Sequence, residues 1–183
     1  EFAFAMLATL GVIWVGAIKA ILVVLVLSLI RFVMLSSRPR IDVLGKVEGI
    51  SGFHPLANHP GATTWPGLLL LRFNAPLVFF NANYFRQQVE RAVERAGDGL
   101  RWLVVDAMPI TQSDVTGYFA VESLKATLRE KGVQLVVAGR YREIAEWRRA
   151  HALEKDDTLY FPTMRKAVKA FLDHQADGDA GET

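Results

Sequence analysis

The chain has 183 residues, with 21 Lys and Arg against 19 Asp and Glu, and no cysteine. This length allows one domain of ordinary size plus a small additional segment. Because cysteine is absent, disulfides, thiolate nucleophiles and cysteine-ligated zinc are excluded. A formal charge of +2 is too small for a dedicated nucleic-acid-binding protein, so no nucleic-acid partner is expected.

Residues 2–35 are far more apolar than the rest of the chain. Their only residues outside the apolar set are Thr9, Gly11, Gly16, Lys19, Ser28 and Arg31. A helix rises about 1.5 Å per residue and a bilayer core is about 30 Å thick, so one straight helix of this length exceeds an untilted span. The composition favours two short membrane helices meeting near Gly16 and Lys19, which keeps the cation away from the deepest lipid. One span of about 20 residues with an overhang is the alternative.

The residues on either side of this segment indicate what kind of apolar segment it is and how it is oriented in a membrane. The chain begins with Glu1 rather than Met, so we expect a piece of a longer protein. The acidic start and the missing basic region argue against a signal peptide. A buried helix pair of a soluble protein is disfavoured because these helices offer no polar face. The basic cluster Arg31, Arg38 and Arg40 predicts a cytoplasmic C-terminal side.

The part after the apolar segment begins with short, strand-like runs. Residues 41–48 alternate loosely between apolar and polar and predict a first strand. Residues 49–67 hold four Gly and three Pro and predict a loop. Residues 68–73 and 77–80 are short apolar runs of strand length, which suggests burial on both faces.

Helices and strands then alternate along the chain. A first helix, capped by Asn81 or Asn83 and closed by Gly97, is predicted by an apolar stripe at Phe85, Val89, Ala92, Val93 and Ala96. Further strands are predicted over 100–106, 133–138 and 158–161. Further helices are predicted from Asp114, over about 141–151, and after Pro162. This alternation indicates an α/β sheet.

The domain organisation follows from these elements. We expect membrane helices over residues 1–35, a linker over residues 36–41 and an α/β domain over residues 42–174. Residues 175–183 are polar and rich in Gly, Ala and Asp, which predicts a disordered tail.

The segment between the strand ending at Asp106 and the next helix is the main candidate for a site. It carries Ser113, Asp114, Thr116 and Gly117. Ligands of α/β folds tend to bind beyond the carboxyl ends of strands, and a helix start suits an anion or a phosphorylated side chain. The alternative is that Ser113 and Asp114 only cap the helix, which stabilises it by about 1 kcal/mol.

Other chemistry finds little support in the sequence. No phosphate-binding loop and no nucleophile elbow occurs. Asp106 and Asp114 are better read as a strand end and a cap than as paired acid–base groups. The histidines lack metal-ligand spacing; they are His54, His59, His151 and His174. We therefore expect no catalytic residue, metal or cofactor.

The order of the elements resembles the STAS domain, which bacterial anti-anti-sigma factors share with the cytoplasmic tails of SulP anion transporters. The motifs that carry the resemblance are D-V-T-G at 114–117 and K-G-V-Q-L-V-V-A-G at 131–139. The apolar segment followed by S-R-P looks like the last two membrane helices and linker of a SulP transporter. The stretch P-G-L-L-L-L-R-F-N-A-P-L-V-F-F-N-A-N-Y-F at 66–85 is similar to the first strands and helix of SulP tails. The implied fold is a STAS-like mixed β-sheet with about four amphipathic helices, preceded by the apolar membrane-helical segment.

One departure from the family pattern concerns regulation. Anti-anti-sigma factors carry a phosphorylated Ser directly after the Asp of this motif, and here that position is Val115. Since Val cannot accept a phosphate, a sigma-factor partner switch is not expected. Ser113, Asp114, Thr116 and Gly117 remain the candidate regulatory or ligand-binding loop.

The resemblance implies a function. The chain would be the C-terminal part of a secondary anion transporter of the sulfate, bicarbonate or dicarboxylate type, in the inner (plasma) membrane and multi-pass. Its STAS domain would lie in the cytoplasm and regulate rather than catalyse. The implied partners are membrane lipid, the transporter's own membrane domain, a second copy in a homodimer, and a nucleotide or cytosolic protein. The alternative is a membrane-tethered nucleotide-sensing or protein-binding STAS module. An enzyme is disfavoured because no nucleophile–base pair is present.

Overall fold

The structure is a computed structural model and describes residues 2–140, 143–144 and 158–180. The chain forms two compact units, one up to Arg38 and one from Pro39. Each unit is described by itself.

The first unit consists of two apolar helices. Helix α1 covers Phe2–Val15 and helix α2 covers Ala17–Ser37. The helices are separated at Gly16, whose φ of 89° lies in the region that favours glycine. This confirms the predicted junction and places Lys19 in the first turn of α2 rather than in the middle of a span.

The second helix is longer than predicted. Its 21 residues correspond to about 31 Å, the thickness of a bilayer core. By length and composition it is able to cross a membrane, and its side chains are almost entirely unburied within the molecule. Helix α1, with 14 residues, corresponds to about 21 Å.

The second unit is built on one six-stranded mixed sheet, in the order β2-β1-β3-β4-β5-β6. The strands are β1 Ile41–Gly45, β2 His54–Pro55, β3 Leu68–Phe73, β4 Trp102–Asp106, β5 Gln134–Ala138 and β6 Leu159–Phe161. Strand β1 is antiparallel to β2 and β3, whereas β3 to β6 are parallel. The predicted mixed α/β sheet is confirmed.

The sheet separates two hydrophobic layers. Helices α3 (Ala82–Ala96) and α4 (Val115–Glu130) cover one face, and α5 (Met164–Ala180) covers the other. The alternation of side chains along β4 explains this, since Leu103 and Val105 belong to the α3/α4 layer while Val104 packs in the α5 layer. The connections β3–α3–β4 and β4–α4–β5 advance in the same direction along the sheet, which places both helices on one face.

The strand predicted over 77–80 does not form. Only Leu77 is buried, and it makes one isolated parallel bridge with Ser113. The side chain of Asn81 stabilises a turn instead, because its Oδ1 accepts from the Val78 N–H at 2.9 Å and its Nδ2 donates to the Pro76 carbonyl at 2.9 Å. Asn81 precedes α3 but makes no side-chain cap to that helix.

Three boundaries also differ from the prediction. The linker predicted over 36–41 is shorter, because α2 continues through Ser37 and β1 begins at Ile41. The predicted disordered tail over 175–183 is helical up to Ala180, since Gln175 still contacts the domain by donating to the Pro66 carbonyl at 3.3 Å. The two-residue β2 lies within the predicted 49–67 loop.

The other predicted elements form close to their expected bounds. The helix predicted over about 141–151 falls mostly outside the described residues.

Candidate functional site

The loop before α4 is joined to the loop after β3. The Leu77 N–H donates to the Gln112 carbonyl at 2.9 Å, and the Asp114 N–H donates to the Leu77 carbonyl at 3.3 Å. These backbone bonds extend the parallel pairing of β3 and β4 beyond the strand ends. The candidate loop is therefore anchored on both sides.

Asp114 is the residue that fixes the start of α4. Its Oδ1 accepts from the Gly117 N–H at 2.8 Å, which is the predicted N-cap. Its Oδ2 accepts from the Phe79 N–H at 2.8 Å. Because both carboxylate oxygens are engaged with backbone N–H groups, Asp114 acts as a structural joint between two loops.

Gly117 lies in the first turn of α4 against the other loop. A Cβ at this position would lie 2.4 Å from the Leu77 carbonyl oxygen and 2.7 Å from Ser113 Oγ. No side chain fits there, since real Cβ atoms do not approach backbone oxygen so closely. Gly117 is therefore required for the close approach of α4 to the β3–α3 loop.

The two hydroxyl residues of the predicted site are exposed. Ser113 makes one long contact, from its hydroxyl to the Asp114 carbonyl at 3.4 Å, and Thr116 faces solvent. Val115, at the position of the phosphorylated Ser in anti-anti-sigma factors, is 60% exposed. The loop thus exposes hydroxyl groups and one apolar side chain to solvent, while Asp114 and Gly117 hold its shape.

A cavity of about 530 Å³ lies beside this loop, at the carboxyl ends of β4 and β5. Ser113 and Asp114 line it, but Thr116 and Gly117 do not. Its walls are mainly apolar side chains of the α3/α4 layer, such as Phe85 and Leu124. The charged residues that line it are Asp114, Glu122, Arg140 and Glu143. With three carboxylates to one guanidinium, the cavity suits a largely apolar group better than a polyphosphate.

Arg140 follows β5 with an unusual backbone conformation. Its φ of 46° makes it the only non-glycine residue with positive φ among residues 2–140, 143–144 and 158–180. The residue lines the cavity, and its guanidinium pairs with Glu143 at 2.5 Å. Strained positions of this kind concentrate at functional sites. The sequence signal for it, Gly139-Arg140 directly after a buried strand, went unused in the prediction.

On the face of the sheet opposite the cavity, the carboxyl ends of β3 and β4 carry a buried ion pair. Arg72 Nε lies 2.7 Å from Asp106 Oδ2, and the carboxylate side is almost fully buried. The other oxygen of Asp106 accepts from the Met108 N–H at 3.0 Å. Asp106 therefore holds the beginning of the loop that leads to Asp114, while its side chain points away from the cavity layer. The predicted separation of Asp106 and Asp114 into two structural roles agrees with this geometry.

Three of the four histidines, His54, His59 and His174, lie in the described residues, and these three do not gather into a metal site. His54 and His59 lie together, with ring centroids 5.5 Å apart, and His54 Nε2 contacts the Ser51 carbonyl at 3.0 Å. In the described part of the chain no group of three or more His, Asp or Glu side chains is arranged to hold a metal ion.

The fold and the loop can now be compared with known proteins. The sequence model of the STAS domain family matches residues 59–167. The chain belongs to the STAS domain family. The match covers β3 to β6 and the candidate loop, so the predicted resemblance is confirmed for the domain that carries the site.

Sequence relatives extend the resemblance into the apolar segment. A probable sulfate transporter of Mycobacterium tuberculosis is 30% identical over 173 residues, which is 93% of this chain and 31% of the relative. Sulfate transporter 1.3 of Arabidopsis thaliana is 32% identical over 146 residues, 75% of this chain and 22% of that relative. The chain thus spans less than a third of the length of the curated relatives, and corresponds to their STAS-containing part. The predicted kinship with SulP transporters is confirmed.

A solved structure has the same fold over nearly the whole chain. Murine solute carrier 26 family member A9, an anion transporter in the inward-facing state, superimposes with a TM-score of 0.79 at 20% identity, covering 95% of this chain and 28% of that one. At this identity the likeness shows the fold alone. It includes both the apolar helices and the STAS sheet.

The sequence prediction missed two parts of the site. Phe79 and Leu77 were assigned to a strand, although they form the wall against which the candidate loop is held. Arg140 was not considered as a site residue, although it lines the cavity. Both errors concern contacts between segments that are distant in sequence.

Proposed function

We propose that this chain is the C-terminal part of a multi-pass secondary anion transporter of the sulfate type, with its STAS domain in the cytoplasm as a regulatory and interaction domain. A plasma membrane location follows from this proposal. One relative named above is a probable sulfate transporter and the other is sulfate transporter 1.3, which supports this class of substrate.

One observation carries the proposal. A helix long and apolar enough to cross a membrane, α2, is followed after only three residues by the first strand of a STAS sheet. This arrangement joins a membrane span and a STAS domain without room for another domain. Arg38 and Arg40 lie in this short connection and favour a cytoplasmic side for the sheet.

The side chains of the site support regulation rather than chemistry. Asp114 uses both oxygens to hold backbone N–H groups, and Asp106 is paired with Arg72 on the other face of the sheet. Neither carboxylate is placed to exchange a proton with a substrate. Ser113, Val115 and Thr116 are exposed, which supports a role in contacting another molecule.

The test is anion uptake by the parent protein in liposomes, with and without residues 41–183. We expect labelled sulfate uptake by the full protein, and an altered rate when the domain is removed. The matched control is the intact protein with Gly99→Ala, a change at an open surface position outside the loop. Absence of uptake of sulfate, bicarbonate and dicarboxylates by the full protein would contradict the proposal.

A second candidate function is a ligand-sensing module, favoured by the 530 Å³ cavity. The excess of acidic residues in its walls argues against a nucleotide phosphate and for an apolar ligand or an inserted side chain of a partner protein. Titration of residues 39–183 with GTP, ATP and an uncharged medium-chain alcohol, followed by amide NMR, separates these possibilities. Shifts at Ser113, Tyr118 and Arg140 only with the alcohol would support the apolar ligand, and shifts only with nucleotides would contradict it.

A homodimer is part of the proposal and is tested separately. Mass photometry of the detergent-solubilised parent protein is expected to give twice the protomer mass. A single protomer at all concentrations would contradict this part.

A further inference from the structure

The cavity beside the candidate loop has the size of a small-molecule site. Its volume of about 530 Å³ falls within the roughly 300 to 1,000 Å³ of ligand pockets. It lies beyond the carboxyl ends of the neighbouring strands β4 and β5, where α/β folds bind ligands. Truncating one leucine leaves a cavity of about 150 Å³, so a single inserted side chain would leave most of this space empty. The volume therefore favours a small molecule over one side chain of a partner protein.

The acidic side chains that line the cavity already have partners. Both oxygens of Asp114 accept backbone N–H groups. Glu143 pairs with Arg140 at 2.5 Å, and Glu122 Oε2 lies 4.0 Å from Lys125 Nζ. A cationic ligand therefore finds no unpaired carboxylate among these residues, and an anionic ligand meets an excess of negative charge. Because burying either charge among apolar walls also costs free energy, the lining favours a neutral ligand.

Two neutral polar side chains of the cavity lining are available to such a ligand. Thr111 and Gln112 are exposed and line the cavity, and in the described part of the chain their side chains have no hydrogen-bond partner. Their backbone is held in place. The Thr111 N–H donates to the Pro109 carbonyl at 2.9 Å, and the Gln112 carbonyl accepts from the Leu77 N–H at 2.9 Å. A hydroxyl and an amide are thus carried on a fixed backbone, which lowers the cost of ordering them around a ligand.

We propose that the cavity binds a neutral, mainly apolar small molecule whose one polar group hydrogen-bonds to the side chains of Thr111 and Gln112. This inference rests on the ligand-sensing function proposed above and not on transport, since the cavity belongs to the α/β unit alone. Asp114 lines the same cavity and connects the turn after β3 to α4. A bound molecule would therefore stabilise that connection.

The experiment compares three compounds that share one ring system and differ in charge. They are the neutral 2-naphthylmethanol, the anionic 2-naphthoate and the cationic 2-naphthylmethylammonium. The full chain is titrated in detergent micelles, and amide NMR follows Ser113, Tyr118 and Arg140. The Val26 amide in α2 reports partition of each compound into the micelle. We expect saturable shifts with the alcohol, with a dissociation constant at least about tenfold lower than for either charged compound.

Matched variants locate the binding. Val121 is half-buried and lines the cavity, so Val121→Phe places a ring in that space. Val115→Phe is the same substitution at an exposed position of the same helix that does not line the cavity. We expect saturable shifts to be lost in Val121→Phe and kept in Val115→Phe, with an unchanged urea midpoint as the test of folding. Thr111→Val/Gln112→Leu, at exposed positions, tests the same site if Val121→Phe does not fold. This double variant should weaken binding of the alcohol several-fold and leave 2-methylnaphthalene, which lacks the hydroxyl, unaffected.

Each other outcome contradicts the proposal in a different way. Equal or tighter binding of naphthoate or of the ammonium compound, lost in Val121→Phe, would overturn the neutral ligand and leave a ligand-sensing site intact. Shifts that persist in a folded Val121→Phe would place the compounds outside the cavity and overturn the site. Unchanged binding of the alcohol to Thr111→Val/Gln112→Leu would overturn the role of these two side chains. No saturable shift with any compound would overturn both this inference and the ligand-sensing function, whereas the transport proposal is decided by anion uptake.

Discussion

The carboxylate of Asp114 receives the backbone N–H of Phe79 at 2.8 Å, across 35 residues of sequence. Its other oxygen receives the N–H of Gly117 at 2.8 Å. One side chain thus connects the turn after β3 to the first turn of α4. The position of the candidate loop depends on this connection more than on any contact of Ser113 or Thr116.

Replacement of Asp114 should therefore destabilise the domain. Asp114→Ala removes a helix cap and leaves the Phe79 N–H without its acceptor, and we expect the free energy of unfolding to fall by about 2 kcal/mol. Urea unfolding of residues 39–183, followed by circular dichroism, measures the change. Thr116→Ala serves as the control and should stay within about 0.5 kcal/mol. Equal losses in the free energy of unfolding for the two substitutions would argue against a structural role of the Asp114 carboxylate in connecting the two loops.

Gly117→Ala should also destabilise, although alanine is the better helix former. The added Cβ would lie 2.4 Å from the Leu77 carbonyl oxygen, which forces the two loops apart. We expect a loss of about 1 to 3 kcal/mol in the free energy of unfolding. Gly99→Ala, at a position with open space and no positive φ, should be neutral or slightly stabilising. An increase in the free energy of unfolding of Gly117→Ala would show that α4 does not approach the Leu77 carbonyl oxygen as closely as described.

Breaking the Arg72–Asp106 pair should have a large effect. Asp106→Ala leaves a partly buried guanidinium without its carboxylate and removes the acceptor of the Met108 N–H, so we expect a loss of about 3 kcal/mol. The double variant Arg72→Leu/Asp106→Leu should recover part of the loss, since no unpaired charge remains. A double-mutant cycle built from the urea unfolding free energies gives the coupling free energy between Arg72 and Asp106. Additive effects of the single substitutions would mean that the two side chains do not act as a pair.

The two halves of α5 should contribute differently to the stability of the domain, which two truncations can test. Met164, Ala167, Val168 and Phe171 are buried against the sheet, so removal of residues 164–183 exposes one whole hydrophobic layer. We expect this shortened domain to be unfolded or aggregated. Removal of residues 177–183 keeps Gln175 and its contact with Pro66, and should change the unfolding midpoint little. Light scattering and circular dichroism distinguish the two, and similar behaviour of both truncations would contradict the assignment.

Local signals in the sequence were sufficient for most of the fold. The run of four leucines in β3, the apolar stripe of α3 and the Asp114 cap each determine structure through neighbouring residues, and each was predicted correctly. The break at Gly16 was likewise visible, because glycine is the residue that adopts positive φ without strain.

The errors arose where distant contacts override local preference. Residues 77–80 have the composition of a strand, but the side chain of Asn81 bonds back to Val78 and Pro76 and turns the chain. The polar end of α5 has the composition of a disordered tail, but the packed turns before it continue the helix. The Gly139-Arg140 pair after a buried strand marks an unusual residue, but its place in the cavity wall depends on where β5 ends relative to α4.

The two outer strands of the sheet restrict how copies of this domain can associate. Strand β2 has two residues, one of them Pro55, which lacks an N–H, and β6 has three. Neither provides a long row of unpaired backbone groups for strand addition from another molecule. Because both edge strands are short, self-association through a continuous intermolecular sheet is disfavoured. We therefore expect a dimer of the parent protein to form through helix surfaces and side chains.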